Sequence, residues 1–278
     1  MRFRCAERRG FALVFALWIA LLLGVAGTVV TRLSSADAGA ARIEADLAAA
    51  RSAAEGGIWY AAHQLAAREI SARPPRSRFT IALGGAGVVV DTVDEDGRID
   101  LNTAPEPLIA AMFQAAGLEE PAARQLASRV LDWRDPLSSL RPRTAGTGGG
   151  GPRRQAFVTA NELALIPGVG LALAEALEGA VTVHTNSSYP AWEAAPPAVQ
   201  AILQHAAGEM PDRQAQAGRP GNAASMGSRA GRRMIWRIRS SAQRGAVTAH
   251  VDAVVMLAPN AGTPGRILMW RGASRADG

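Results

Sequence analysis

The sequence predicts an α+β fold: one long N-terminal helix, one antiparallel sheet drawn from two strand regions far apart in the chain, and a large all-α domain inserted between those regions. Three observations predict it. Residues 11–72 contain no proline and place apolar residues at three- and four-residue steps, the spacing of one helix face. Two separate stretches alternate apolar and polar residues and are rich in valine, isoleucine and threonine, as half-buried strands are. Between them lie short segments that open on proline and close on glycine, which is helix-capping chemistry.

Residues 1–10, MRFRCAERRG, form a basic leader in which Arg2, Arg4, Arg8 and Arg9 face one acid, Glu7. FALVFALWIALLLGVAGTVV follows without a charge. A helix of about 20 residues at ~1.5 Å each spans the ~30 Å hydrocarbon core of a bilayer. Residues 11–31 therefore predict a single membrane-crossing helix, with the arginines inside and the rest of the chain outside the cytoplasm. A cleaved secretory signal would have a shorter apolar run, and a plain signal anchor is the other option. Neither explains why the run starts abruptly at a Gly-Phe step.

Residues 32–70 continue the helical pattern: Leu33, Ala40, Ile43, Leu47, Ala54, Ile58 and Leu65 recur on one face, with Arg42, Glu44, Asp46, Arg51 and Glu55 between them. One continuous helix roughly 90 Å long is the expectation. SARPPRS breaks it, and residues 71–101 read as the first strands. Asp96-Gly97 between two β-type runs signals a hairpin. Asp94, Asp96 and Gly97 also imitate part of a calcium loop, but Thr92 and Thr103 stand where that loop needs acids.

Residues 102–208 change to helical texture. APEPLIAAMFQAAG and APPAVQAILQHAAG echo each other within it, and TAGTGGGGP reads as a loop. Residues 209–232 read as a flexible linker. Residues 233–278 give three antiparallel strands, with turns at Arg244-Gly245 and over 259–265.

Composition narrows the function. The 278 residues can hold one large domain or two small ones. The charge of +6 is one footprint of nucleic-acid binding, yet every cation is arginine, which reads first as a bias toward arginine codons. Without lysine there is no Walker A lysine, Schiff-base lysine or kinase lysine. With Cys5 alone there is no internal disulfide and no cysteine zinc site. His63, His184, His205 and His250 share no metal-type spacing, and neither G-x-S-x-G nor H-E-x-x-H occurs. The chain is not expected to be an enzyme.

NELALIPGVGLALAEALEG matches helix-hairpin-helix spacing. Its glycine turn could hold a DNA phosphate, but no cation lies in residues 171–177, and Glu162, Glu175 and Glu178 repel. A structural helical hairpin is the expectation.

The basic leader, Gly10, Phe11 and the apolar run resemble the class III signal of type IV pilins and type II secretion pseudopilins. The resemblance implies that a prepilin peptidase cuts between Gly10 and Phe11 and that Phe11 is N-methylated. Most of that family carries glutamate at the fifth mature position, which here is Phe15. The K-type minor pseudopilin of type II secretion is the member lacking it. The ordered set DEDGRIDLNTA, VLDWRD, NELALIPGV, VTVHT and DAVVM…RILMWR resembles that member from Gly10 to Arg271.

This resemblance implies a pilin-like body with an inserted helical domain that starts or caps a periplasmic filament, the pseudopilus, for protein export. It implies I-type and J-type pseudopilins, the prepilin peptidase and the inner-membrane secretion platform as partners. The chain would sit in the bacterial inner membrane, single-pass, with its C-terminal body in the periplasm. No cofactor is expected. Calcium is the ligand the resemblance leaves open: Asp132 and Asp135 match the family's D-W-x-D step, but PLSSLRPR follows where further acids belong. Two alternatives stand beside this reading: a membrane-anchored helix-hairpin-helix DNA receptor, and a tip-located minor pilin of a type IV pilus.

Overall fold

The computed structural model describes residues 9–69, 72–135, 155–207, 234–257 and 265–276; the side chains of residues 9–12, 27, 29–38 and 273–276 lie outside the description. Most of the leader, the loop at 144–152, the linker at 209–232 and nearly all of the turn at 259–265 fall outside the described residues.

The helix α1 runs unbroken over Arg9–Ala66, 58 residues, or about 87 Å at ~1.5 Å per residue. From Leu13 to Ala45 every described side chain is exposed. Burial begins at Ala50 and follows Ala53, Ala54, Ile58, Ala61, Ala62 and Leu65, a stripe at helical spacing. Alanines on that stripe let the helix lie close to the sheet beneath it. The closest approach is Gly57, where an added Cβ would stand 2.3 Å from Ser240 Oγ and 2.9 Å from Val88.

The sheet has five strands in the order β1-β2-β5-β6-β7. Here β1 is Arg76–Leu83, β2 is Ala86–Asp94, β5 is Ile235–Arg244, β6 is Val247–Met256 and β7 is Arg266–Ala276. Every neighbouring pair is antiparallel. The two strand regions therefore do form one sheet, joined where β2 pairs β5 from Gly87↔Gln243 to Asp94↔Trp236. Trp236, Ile238, Val88, Val90, Val251, Ala253 and Val255 meet the α1 stripe in one core.

The hairpin expected at Asp96-Gly97 is not there. The β1–β2 turn falls instead at Gly84-Gly85, both at positive φ (57° and 79°), as a two-residue hairpin turn demands. Asp94 Oδ1 accepts the Asp96 N–H at 3.0 Å, and residues Glu95–Gly97 coil into a 3₁₀ turn. That turn sends the chain out of the sheet.

The insertion holds α2 (Glu106–Ala115), α3 (Glu120–Arg134), a 3₁₀ turn at Ala160–Leu165, α4 (Gly170–Leu177) and α5 (Pro197–Ala207). To these helices it adds a short parallel pair, β3 (Ile99–Asp100) with β4 (Val181–Thr182). Leu108, Ile109, Met112, Phe113, Val130, Ile202 and Leu203 centre a second core separate from the first. The two echoing segments become α2 and α5, which pack together; His205 and Gln114 hydrogen-bond between their last turns.

Candidate assembly site

Two features of this architecture can act on other molecules or position what does. The first is the uncovered half of α1. Leu13, Val14, Phe15, Leu17, Trp18, Ile19, Leu21, Leu22, Leu23 and Val25 are all exposed. Exposed apolar area on this scale is not left to water. A helix apolar all round is built for lipid or for burial among other helices. Among the described residues no helix is long and apolar enough to cross a membrane. The uncharged stretch with described side chains is Leu13–Ala26, and Phe11, Ala12, Gly27, Val29 and Val30, which would lengthen it, lie outside that set. Gly10 and Phe11 lie within the first helical turns of the backbone, and Phe15 is 60% exposed; no charge stands at that fifth position.

The second feature is the joint between sheet and insertion, and its residues were invisible in the sequence. Glu95, on the 3₁₀ turn that leaves β2, is fully buried. Arg237 on β5 grips it with Nη2 at 3.0 Å and Nε at 3.3 Å, a two-pronged charge-assisted pair. Arg98 adds a contact at 3.5 Å. Burial alone would raise the Glu95 carboxyl, but Arg98 and Arg237 outweigh it and hold the group below its ordinary value. Burial alone would lower the Arg237 guanidinium, yet Glu95 and Asp252 raise it. Burial lowers Arg98, with Glu95 opposing, and lowers the nearby His184 imidazole.

Around this pair the insertion is fastened at further points. Arg271 on β7 meets Glu178 at 3.5 Å near the surface. The Ala191 N–H donates to Asp96 O at 2.7 Å. Gly97 lies so close to Ala194 that an added Cβ would be 2.2 Å from its carbonyl oxygen. These contacts are made of backbone and paired charge, so the joint orients the insertion without a continuous apolar seam.

The motif residues prove to be parts of the insertion's frame. In LNTA, Asn102 Oδ1 accepts the Phe157 N–H at 2.7 Å and Asn102 Nδ2 donates to Phe157 O at 3.1 Å. Asp100 accepts from Asn102 N, Thr185 Oγ1 and Asn186 N. In VLDWRD, Trp133 stacks on Phe157 with centroids 6.2 Å apart, and Arg134 donates to Leu101 O at 2.7 Å and Ala104 O at 2.8 Å. Arg134, between the two acids that drew attention, is the residue with the clear task.

Asp132 and Asp135 are half-buried at the end of α3, and residues 136–154 after them lie outside the described residues. Among the described residues no group of three or more metal-type ligands gathers. In the hairpin, Glu162 Oε1 accepts the Val158 and Thr159 N–H groups, and Arg129 of α3 donates to Pro167 O. Gly168 abuts Arg129 and Leu126. The first helix of the hairpin is a single 3₁₀ stretch, and its glycine turn is packed on α3.

No protein-family model matches the sequence, and no curated protein does. Among solved structures, the chain is similar to a chain of the GspK–GspI–GspJ complex of the type 2 secretion system from enterotoxigenic Escherichia coli. The likeness covers 79% of this chain and 96% of that one, with a TM-score of 0.55 and 13% identity. At that identity it is a likeness of fold.

Proposed function

We propose that this chain is a minor pseudopilin of the K type, which starts or caps the periplasmic pseudopilus of a type II secretion system. Its task is packing, with no catalysis and no cofactor. The observation that carries the reading is the combination of an uncovered apolar half-helix with a pilin-like sheet interrupted by a large helical domain. The likeness to a chain of the GspK–GspI–GspJ complex supports it, and I-type and J-type pseudopilins are the partners it suggests. The role places the chain in the inner membrane until the apolar half of α1 transfers into the filament core, with the body in the periplasm.

The bulk of the insertion and the uncharged Phe15 both suit a terminal position. A buried carboxylate is costly unless paired, and a subunit with no neighbour above it has no amine to pair with. Processing by a prepilin peptidase between Gly10 and Phe11, with N-methylation of Phe11, belongs to this proposal.

Co-expression with a prepilin peptidase, followed by N-terminal sequencing, tests the reading. The expected mature chain begins at Phe11, and Gly10→Ala abolishes the cut. An uncut wild-type chain, or a cut after Gly27, overturns it. The mature chain should also co-purify with I-type and J-type subunits.

A further inference from the structure

One of the two edges of the sheet, strand β1, has a groove beside it. Strand β1 pairs with β2 on one side, and among the described residues nothing pairs with the other. Its side chains alternate: Arg76, Arg78, Thr80 and Ala82 are exposed, while Ser77, Phe79, Ile81 and Leu83 are half-buried. Between this strand and the second half of α1 runs a groove of about 440 Å³. Tyr60, Phe79 and Ile81 supply apolar wall, with the Tyr60 and Phe79 rings 6.0 Å apart. Arg68 and Arg78 are the charged residues lining the groove, and no aspartate or glutamate lines it. On the neighbouring strand Asp91 meets Arg78 at 3.6 Å in an exposed pair, which is weak.

We propose that this edge takes up an extended acidic segment of a different subunit as an added strand. In that mode main-chain hydrogen bonds supply affinity and alternate side chains supply specificity. Apolar side chains of the incoming segment face Tyr60, Phe79 and Ile81, and its carboxylates, on the other face, meet Arg76 and Arg78. The proposal rests on the reading of this chain as an assembling subunit.

Charge selects the occupant. A second copy would bring an equally cationic edge against Arg76 and Arg78. The chain's own residues 208–233 carry Arg213, Arg219, Arg229, Arg232 and Arg233 against Glu209 and Asp212, so they are cationic too. Charged side chains on an edge strand also serve to keep other strands away. That role accounts for the arginines but not for an apolar groove opening beside them.

The test uses the full chain in detergent and a fluorescein-labelled peptide of alternating valine and glutamate, as long as β1, read by anisotropy. The glutamate peptide should bind, and the same peptide with lysine for glutamate should bind at least roughly tenfold more weakly. Methylating every second backbone nitrogen along one edge of the peptide should abolish binding, whereas methylating the other set should not. The double variant Arg76→Glu, Arg78→Glu should reverse the preference between the two peptides. Absent binding, equal binding of both peptides, or indifference to backbone methylation overturns the proposal. So does a photo-crosslinker at Ala82 that captures residues 208–233 or a second copy in place of the peptide. Peptide binding is read independently of cleavage at Gly10, so failure of one test leaves the other reading intact.

Discussion

Glu95 is one carboxylate shared by two guanidinium groups away from water. A buried ion pair gains stability only where geometry and hydrogen bonding offset desolvation, and removing one partner strands the other. Glu95→Ala leaves Arg98 and Arg237 buried together without their shared counter-charge. We expect a loss of about 3–5 kcal/mol in urea unfolding. Arg271→Ala opens a pair that is 42% and 46% exposed, and should cost at most about 1 kcal/mol. The Glu95 carboxyl lies below its ordinary value in the fold. Its contribution is therefore present above the unfolded value of ~4.3 and fades as pH falls through the lower folded value. Glu95→Gln should weaken that acid limb of the stability profile; an unchanged limb would show that other carboxylates set it. Nothing in the sequence singled this residue out. DEDG reads as a turn, and the partner Arg237 stands on a strand 142 positions away.

At the scale of elements, the seat of α1 on the sheet can be tested with two adjacent glycines. Glycine in a helix interior costs up to about 1 kcal/mol relative to alanine. At Gly56 an added Cβ meets only the Leu83 side-chain end at 3.3 Å, so Gly56→Ala should be neutral or raise the melting temperature. At Gly57 the same atom runs into Ser240 Oγ at 2.3 Å and Val88 at 2.9 Å. Overpacking of that kind costs about 1–3 kcal/mol, so Gly57→Ala should lower the melting temperature despite the gain in helix propensity. Equal shifts for the two variants would contradict this seating. The helix itself was legible because a periodic, proline-free stretch is a strong local signal. The closing strands were legible because they alternate. The hairpin was misplaced because two turn-forming sites, Gly84-Gly85 and Asp96-Gly97, compete within one β-rich stretch. The Asp94 side chain and a parallel partner at Val181 decide between them. That partner is more than 80 residues away, beyond what local pattern carries. The candidate site divides in the same way: the apolar half-helix is written in consecutive residues, whereas the joint exists only after folding.

At the scale of the molecule, two apolar cores are fastened by charge and backbone. One core lies between α1 and the sheet, the other among α2, α3, α4 and α5. A single cooperative transition is the behaviour of one core, and regions with separate cores can open separately. Calorimetry of the full chain in detergent should resolve two overlapping transitions, one for the insertion and one for the helix-seated sheet. Glu95→Ala should draw them further apart, because the variant uncouples the units as well as weakening them. Hydrogen exchange identifies which is which: amides of α2 and α3 should exchange as one group, and those of β2, β5 and β6 as another. A single transition whose calorimetric and van't Hoff enthalpies agree, in both wild type and variant, would mean that the joint couples the cores fully. In that case the insertion would be a rigid extension of the sheet. Two transitions would make it a module that holds its shape while its attachment is loosened.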